Sequence, residues 1–219
     1  MANRPSHLIS WNRFQLDLGI RTCVMGVLNV TPDSFSDGGQ FYGVDIAVAH
    51  GEKLVSDGAG ILDIGGESTR PFSDDVSVEE ETRRVIPVIE RLAPRIPIPI
   101  SIDTTKAPVA QRAIEAGAAI INDVGALRAG SGMAAVAARY GVPVILMHML
   151  GTPRTMQVSP EYTDLIGQIR QFLADAVDGA VKRGVSRSKL IVDPGIGFGK
   201  TIAHNLRLLQ QLSEFSDLN

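Results

Sequence analysis

The chain has 219 residues, 44% of them apolar, with a formal net charge of −3 and a single cysteine. That length suits one domain with a sizeable core, at about 100–200 residues per domain. The lack of any basic tract argues against nucleic acid and anionic membrane as partners, and the lone Cys23 excludes an internal disulfide.

From Met1 to Trp11 there is no continuous apolar stretch of the signal-peptide kind, and no later run has transmembrane length, so the cytosol is the expected location. Metal-ligand patterns such as CxxC and HExxH are absent. Six short runs rich in β-branched residues then follow one another, each closed by a polar residue. Cys23–Val30 carries Asn29 near its end. Ile61–Ile64 carries Asp63, Ile98–Ile102 is closed by Asp103, and Ala119–Ile121 by Asn122 and Asp123. Pro143–Met147 is followed by His148, and Leu190–Val192 by Asp193. Such runs read as buried parallel strands, covered on both faces.

Helical patterns lie between them. Ser77 and Glu80 have capping-box spacing, followed by Val78, Val85, Ile86, Ile89 and Leu92 on one face, with Pro87 as an expected kink. Gln111–Ala116 and Met133–Tyr140 are shorter helical stretches. Ser159 and Pro160 have the chemistry of an N-cap and first helical residue. They precede an apolar stripe of Leu165, Ile169, Phe172, Leu173, Ala176 and Ala180 that stops near Gly184. Ile202–Leu212 is the last expected helix.

Strict strand–helix alternation implies a parallel sheet, either a (β/α)8 barrel or an open doubly wound sheet. Both nucleotide signatures fail. Lys200 stands where the third glycine of a dinucleotide fingerprint belongs, and the Gly195–Thr201 segment is one residue short of a Walker A loop. That favours the barrel. A barrel gathers its strand ends at one mouth, so Asn29, Asp63, Asp103, Asn122, His148 and Asp193 would meet there. Carboxylates and carboxamides suit a flat heterocycle with several N–H donors. Taken singly, each of these residues also reads as a turn or cap former. Asp123 reads as structural and His148 as a packed histidine. Two loops rich in Gly, Pro and polar side chains, Thr31–Gly39 and Gly65–Pro71, have the composition of lids.

At these residues the chain resembles the dihydropteroate synthase family. The resemblance rests on Met25-Gly-Val-Leu-Asn-Val-Thr-Pro-Asp-Ser-Phe-Ser-Asp-Gly-Gly39 and on Asp63-Ile-Gly-Gly-Glu-Ser-Thr-Arg-Pro71. The shorter Ser101-Ile-Asp-Thr, Ile121-Asn-Asp-Val and Val192-Asp-Pro-Gly-Ile-Gly-Phe-Gly-Lys200 follow in the family's order. The resemblance implies a TIM-type α/β barrel, one pterin-binding domain over residues 1–219. Its implied reaction condenses 6-hydroxymethyl-7,8-dihydropterin pyrophosphate with p-aminobenzoate to give dihydropteroate and pyrophosphate. By motif, Asp103, Asn122 and Asp193 would hold the pterin ring, with Met147 and Phe198 against its faces. Asn29 would bind the Mg2+ that accompanies pyrophosphate. Phe35, Thr69, Arg70 and Pro71 would order the p-aminobenzoate site, Asp63 would support the second loop, and Asp37 would stabilise a pterin cation.

The family pattern continues with two more βα units, which supply a further lysine, arginine and histidine and the helices of a homodimer. About six units are recognised here, so a truncated barrel is expected. Three explanations stand beside one another. The chain is a fragment or truncated gene product, another segment or chain completes the barrel, or the sheet is rearranged with Leu8–Leu18 covering an edge. The alternative functions are an inert pterin-binding module and a methyltetrahydrofolate-type methyltransferase.

Overall fold

In the computed structural model, residues 7–31, 39–68, 75–130, 132–152 and 155–218 are described, and the statements below concern these. Six short strands form one parallel sheet in chain order: β3 (Met25–Asn29), β4 (Ile61–Gly65), β5 (Ile100–Asp103), β6 (Ile120–Asp123), β7 (Val144–Met147) and β8 (Leu190–Asp193). Between them run α1 (Gly39–Ser56), α2 (Val78–Leu92), α3 (Ala107–Ala116), α4 (Gly132–Tyr140) and α5 (Leu165–Lys182), and α6 (Ile202–Gln210) follows β8. Each strand pairs with the next in sequence, so β3 and β8 are the two edges of the ladder and do not pair with each other.

The period-two alternation of the strands assigns every residue to a face. Leu28, Leu62, Ile64, Ile100, Ile102, Ile121, Val144 and Leu146 point to the helical layer, and all are fully or almost fully buried. Each such side chain stabilises the fold by about 1.5–3 kcal/mol relative to exposure. The opposite, concave face takes the polar residues. On the β3 edge this face is open, and Val27 is 54% exposed.

Three elements were not anticipated, one helix and two strands. No helix was read between Gly39 and Ser56, where α1 lies. The first two strands, β1 (Leu8–Trp11) and β2 (Phe14–Asp17), form a separate antiparallel hairpin. Its Ile9, Trp11 and Leu16 are buried in the core, and Trp11 Nε1 donates to the Ala119 carbonyl at 2.7 Å. Ala119 immediately precedes β6, so the hairpin packs under the N-terminal ends of the strands. It adds no strand to the six-stranded sheet.

The helix signals fared unevenly. Ser77 Oγ accepts from Glu80 N at 3.2 Å, but the Glu80 carboxylate turns to Arg83 and Arg84 instead of closing the box. The helix continues through Pro87. Ser159 and Pro160 do not start α5. Ser159 has φ of 48°, and the N-cap is Asp164, whose side chain accepts from Gly167 N. The real cap lies five positions after the expected one. The Asp carboxylate adjoining the apolar stripe won over the Ser-Pro pair, because a cap must sit directly before the first buried turn.

Candidate active site

The concave face brings the predicted polar residues together. The ladder aligns Asn29 with Gly65, Gly65 with Asp103, and Asp103 with Asn122. Across the sheet, Met147 aligns with Asp193. By alternation Asp63 lies on the same face, one layer deeper. Asn29, Asp63, Asp103, Asn122, Met147 and Asp193 therefore share one concave surface at the C-terminal ends of the strands, where barrel enzymes place their sites.

Gly65 makes room at the centre of this row. A Cβ there would lie 3.5 Å from Asp103 Oδ2 and 3.7 Å from Asn29 Oδ1, so both oxygens border the space a side chain would fill. Asn122 Nδ2 donates to Asp63 Oδ2 at 3.1 Å. Burial raises the Asp63 carboxyl above its ordinary value, and Ser101 and Asn122 partly offset this. Asp103 is pushed well up, first by burial and then by the negative field of Asp63, Glu81, Asp123 and Glu67. A face that presents Asp63, Asp103 and Asp193 favours a guest that donates N–H bonds or carries positive charge.

Asp193 Oδ1 accepts from Gly195 N at 2.7 Å. Burial raises this carboxyl, while Gly195 N–H and the Lys200 charge pull it down. The loop after β8 is folded tightly against β7. Gly195 has φ of 69°, and a Cβ on it would overlap the His148 carbonyl, so only glycine fits. Met147 is buried with Val124, Met149 and Met156 in a small apolar cluster, and Phe198 packs against it. Both residues expected at the ring faces thus lie in one apolar wall beside Asp193.

Asp123, read as structural, accepts from Gly125 N and Leu127 N, both at 2.8 Å, and braces a turn in which Ala126 and Leu127 have positive φ. His148 is buried, edge-on to Phe172 with ring centroids 4.9 Å apart. Phe35, Asp37, Thr69, Arg70 and Pro71 lie outside the described residues.

One cluster escaped the sequence reading. Lys106 Nζ binds Glu67 Oε2 at 2.6 Å and Glu81 Oε2 at 2.7 Å, with Glu81 wholly buried. Glu67 Oε1 accepts from Val76 N, and Arg84 donates to the Gly66 carbonyl. The stem of the loop after β4 is thereby tied to α2 and to the loop after β5. Burial works against the Lys106 charge, but its two carboxylate partners outweigh it and the pKa rises. The signal was present in the sequence: Glu81 occupies an apolar position of the Val78–Leu92 stripe.

Residues 25–219 match the family model described as pterin binding enzyme. The dihydropteroate synthase of Synechocystis sp. is 50% identical over 202 residues, covering 92% of this chain and 70% of that protein. The chain belongs to the dihydropteroate synthase family. Solved synthases superpose closely. The Xanthomonas albilineans enzyme with 4-aminobenzoic acid gives a TM-score of 0.89 at 47% identity, over 97% of this chain and 75% of that one. The same enzyme in complex with 7,8-dihydropteroate gives 0.84 at 44% identity, over 96% of this chain and 74% of that one. The six-stranded sheet is thus an incomplete form of the synthase barrel, and the resemblance found in the motifs extends to the fold. Among the described residues no helix is long and apolar enough to cross a membrane.

Proposed function

We propose that the concave mouth binds the pterin pyrophosphate and p-aminobenzoate and joins them as dihydropteroate. The carrying observation is the single face shared by Asn29, Asp103, Asn122 and Asp193 around the gap at Gly65. Asp103 and Asp193 accept from the amidine-like edge of the pterin, while Asn122, held by Asp63, both donates and accepts. Met147 and Phe198 pack on the ring. The two complexes of the Xanthomonas enzyme support this choice of substrate and product.

In the reaction the bond between the pterinylmethyl carbon and the pyrophosphate oxygen breaks, and its electron pair leaves with the oxygen. The arylamine nitrogen then bonds to that carbon and gives up a proton. Positive charge grows on the pterin as the bond breaks, and the carboxylates of Asp103 and Asp193 stabilise it in place. Burial and then neighbouring carboxylates raise Asp103, and the carboxylate part is relieved as positive charge develops beside it. Asp37 adds to this stabilisation, and Phe35, Thr69, Arg70, Pro71 and the loop carried by Asp63 order the p-aminobenzoate.

The site fits Mg2+ in a limited sense. Asn29 offers an exposed carboxamide oxygen beside the Gly65 gap, and Mg2+ commonly takes one or two protein oxygens and completes its shell with water and substrate phosphates. Asn29 is the residue that would hold it, and the chemistry a bound Mg2+ would supply there is neutralisation of charge on the departing pyrophosphate.

Turnover of the chain with pterin pyrophosphate, p-aminobenzoate and Mg2+, followed by chromatography of dihydropteroate, tests the proposal. Product is expected. Pterin binding without product leaves a binding module, and absence of pterin binding overturns the reading.

A further inference from the structure

Lys200 is a buried lysine that the proposed chemistry does not use. It is only 4% exposed. Its Nζ lies 2.9 Å from the Phe198 carbonyl, 3.1 Å from His148 Nδ1 and 3.4 Å from the His148 carbonyl. An ammonium carries three N–H donors and no acceptor, and here three acceptors surround it. The arrangement requires His148 to be neutral, with its proton on Nε2 and the Nδ1 lone pair facing Lys200.

The surroundings agree. Burial and the neighbouring Lys200 charge drive the His148 pKa down to about 3, with Arg128 adding to the effect. Burial lowers Lys200 to about 8, and Asp193 opposes that fall. The groups facing the pair are Asp193 at the end of β8, Arg128 after β6, and Tyr162 before α5, with His204 of α6 behind Tyr162. Among the described residues Asp193 is the one carboxylate acting on Lys200. Tyr162 is otherwise engaged, its hydroxyl donating to the Gly199 carbonyl at 2.8 Å.

We propose that Lys200 and His148 are positioning residues for the pterin end of the site. Lys200 ties the loop carrying Phe198 to the end of β7, and its charge, after the Gly195 N–H, favours the ionised form of Asp193. Both tasks need the same ammonium. The tie fixes the ring-contacting side chain, and the charge assists the Gly195 N–H in favouring the carboxylate form of the hydrogen-bonding one. Because its three N–H groups are taken by the protein, Lys200 acts through Asp193 and Phe198 rather than by touching substrate. The proposal rests on the pterin reading of the mouth.

The test compares the wild-type chain with Lys200→Met, His148→Leu and His148→Asn. Binding of 6-hydroxymethylpterin is measured across pH 5–8, and the Asp193 carboxyl is titrated by carbon NMR. Without the Lys200 charge, Asp193 in K200M should titrate at higher pH than in wild type. The acid limit of pterin binding should move up with it, and affinity at pH 7 should fall roughly tenfold or more. H148L removes one acceptor and should weaken binding, whereas H148N presents an amide oxygen near the place of Nδ1 and should restore most of it. Should K200M fail to fold, the H148L and H148N pair decides the matter. Equal affinity and an unmoved Asp193 titration in K200M overturn the proposal while leaving the pterin reading intact. H148L and H148N variants that bind as tightly as each other overturn it too. A wild-type chain that binds no pterin overturns both.

Discussion

Asn122 Nδ2 donates to Asp63 Oδ2 at 3.1 Å, reaching from β6 to β4 over the intervening β5. The bond orients the carboxamide and supplies a donor to a carboxylate that is 4% exposed. Asn122→Leu removes the donor and should cost about 1–3 kcal/mol in urea unfolding. Asp63→Asn keeps an acceptor without the buried charge and should cost less than Asn122→Leu. Equal losses in the two variants would show that the hydrogen bond does not govern the pair.

Asp103 links stability to function through pH. Its folded pKa is raised by burial and then by neighbouring carboxylates, so between the unfolded value, near 3.8, and the raised one the native state holds a proton that the unfolded state has lost. Its contribution to stability is therefore fully present below about pH 4 and is lost as pH rises through the folded pKa. Asp103→Asn should stabilise the chain at pH 7 by about 0.5–2 kcal/mol, flatten this part of the pH dependence and weaken pterin binding. Thermal unfolding between pH 4 and 8, with pterin titrations beside it, checks both effects. A variant less stable than wild type at pH 7 would contradict the account.

Lys106 holds the wholly buried Glu81 and the half-buried Glu67 together. Lys106→Met leaves Glu81 with an uncompensated charge and should destabilise the chain by about 3–5 kcal/mol. Adding Glu81→Leu should recover part of that loss, because the buried charge disappears with its partner. Denaturant midpoints of the single and double variants measure it, and additive losses would argue against coupling.

Trp11 fastens the hairpin beneath the sheet. Trp11→Phe keeps most of the buried ring but loses the bond to the Ala119 carbonyl, for about 1 kcal/mol. Trp11→Ala should cost about 3–5 kcal/mol as the cavity opens. Equal midpoints for Trp11→Phe and wild type would show that the indole N–H adds nothing.

Where the fold and site were legible in advance, local chemistry and packing agreed. The six apolar runs became the six strands because a strand buried on both faces needs an unbroken run of large apolar side chains. Asp123 was readable as a turn brace, since a short carboxylate beside Gly125 accepts from nearby backbone N–H groups. The Ser159 and Pro160 signal misled because capping chemistry is common in loops, and only the burial of Leu165 decides which cap has a helix to serve.

The sequence by itself determined the alternation of strand and helix, the polar residue closing each strand and the synthase motifs around them, because these depend on side-chain pattern within a few residues. Only the tertiary structure decided that Asn29, Asp103, Asn122 and Asp193 share one face, that Trp11 packs under β6, that Lys106 sits half-buried between two carboxylates and that Lys200 is buried among its acceptors. Those relationships join residues far apart in the chain. They depend on strand register and on which charges find compensation in the interior, and neither is written in any local stretch of sequence.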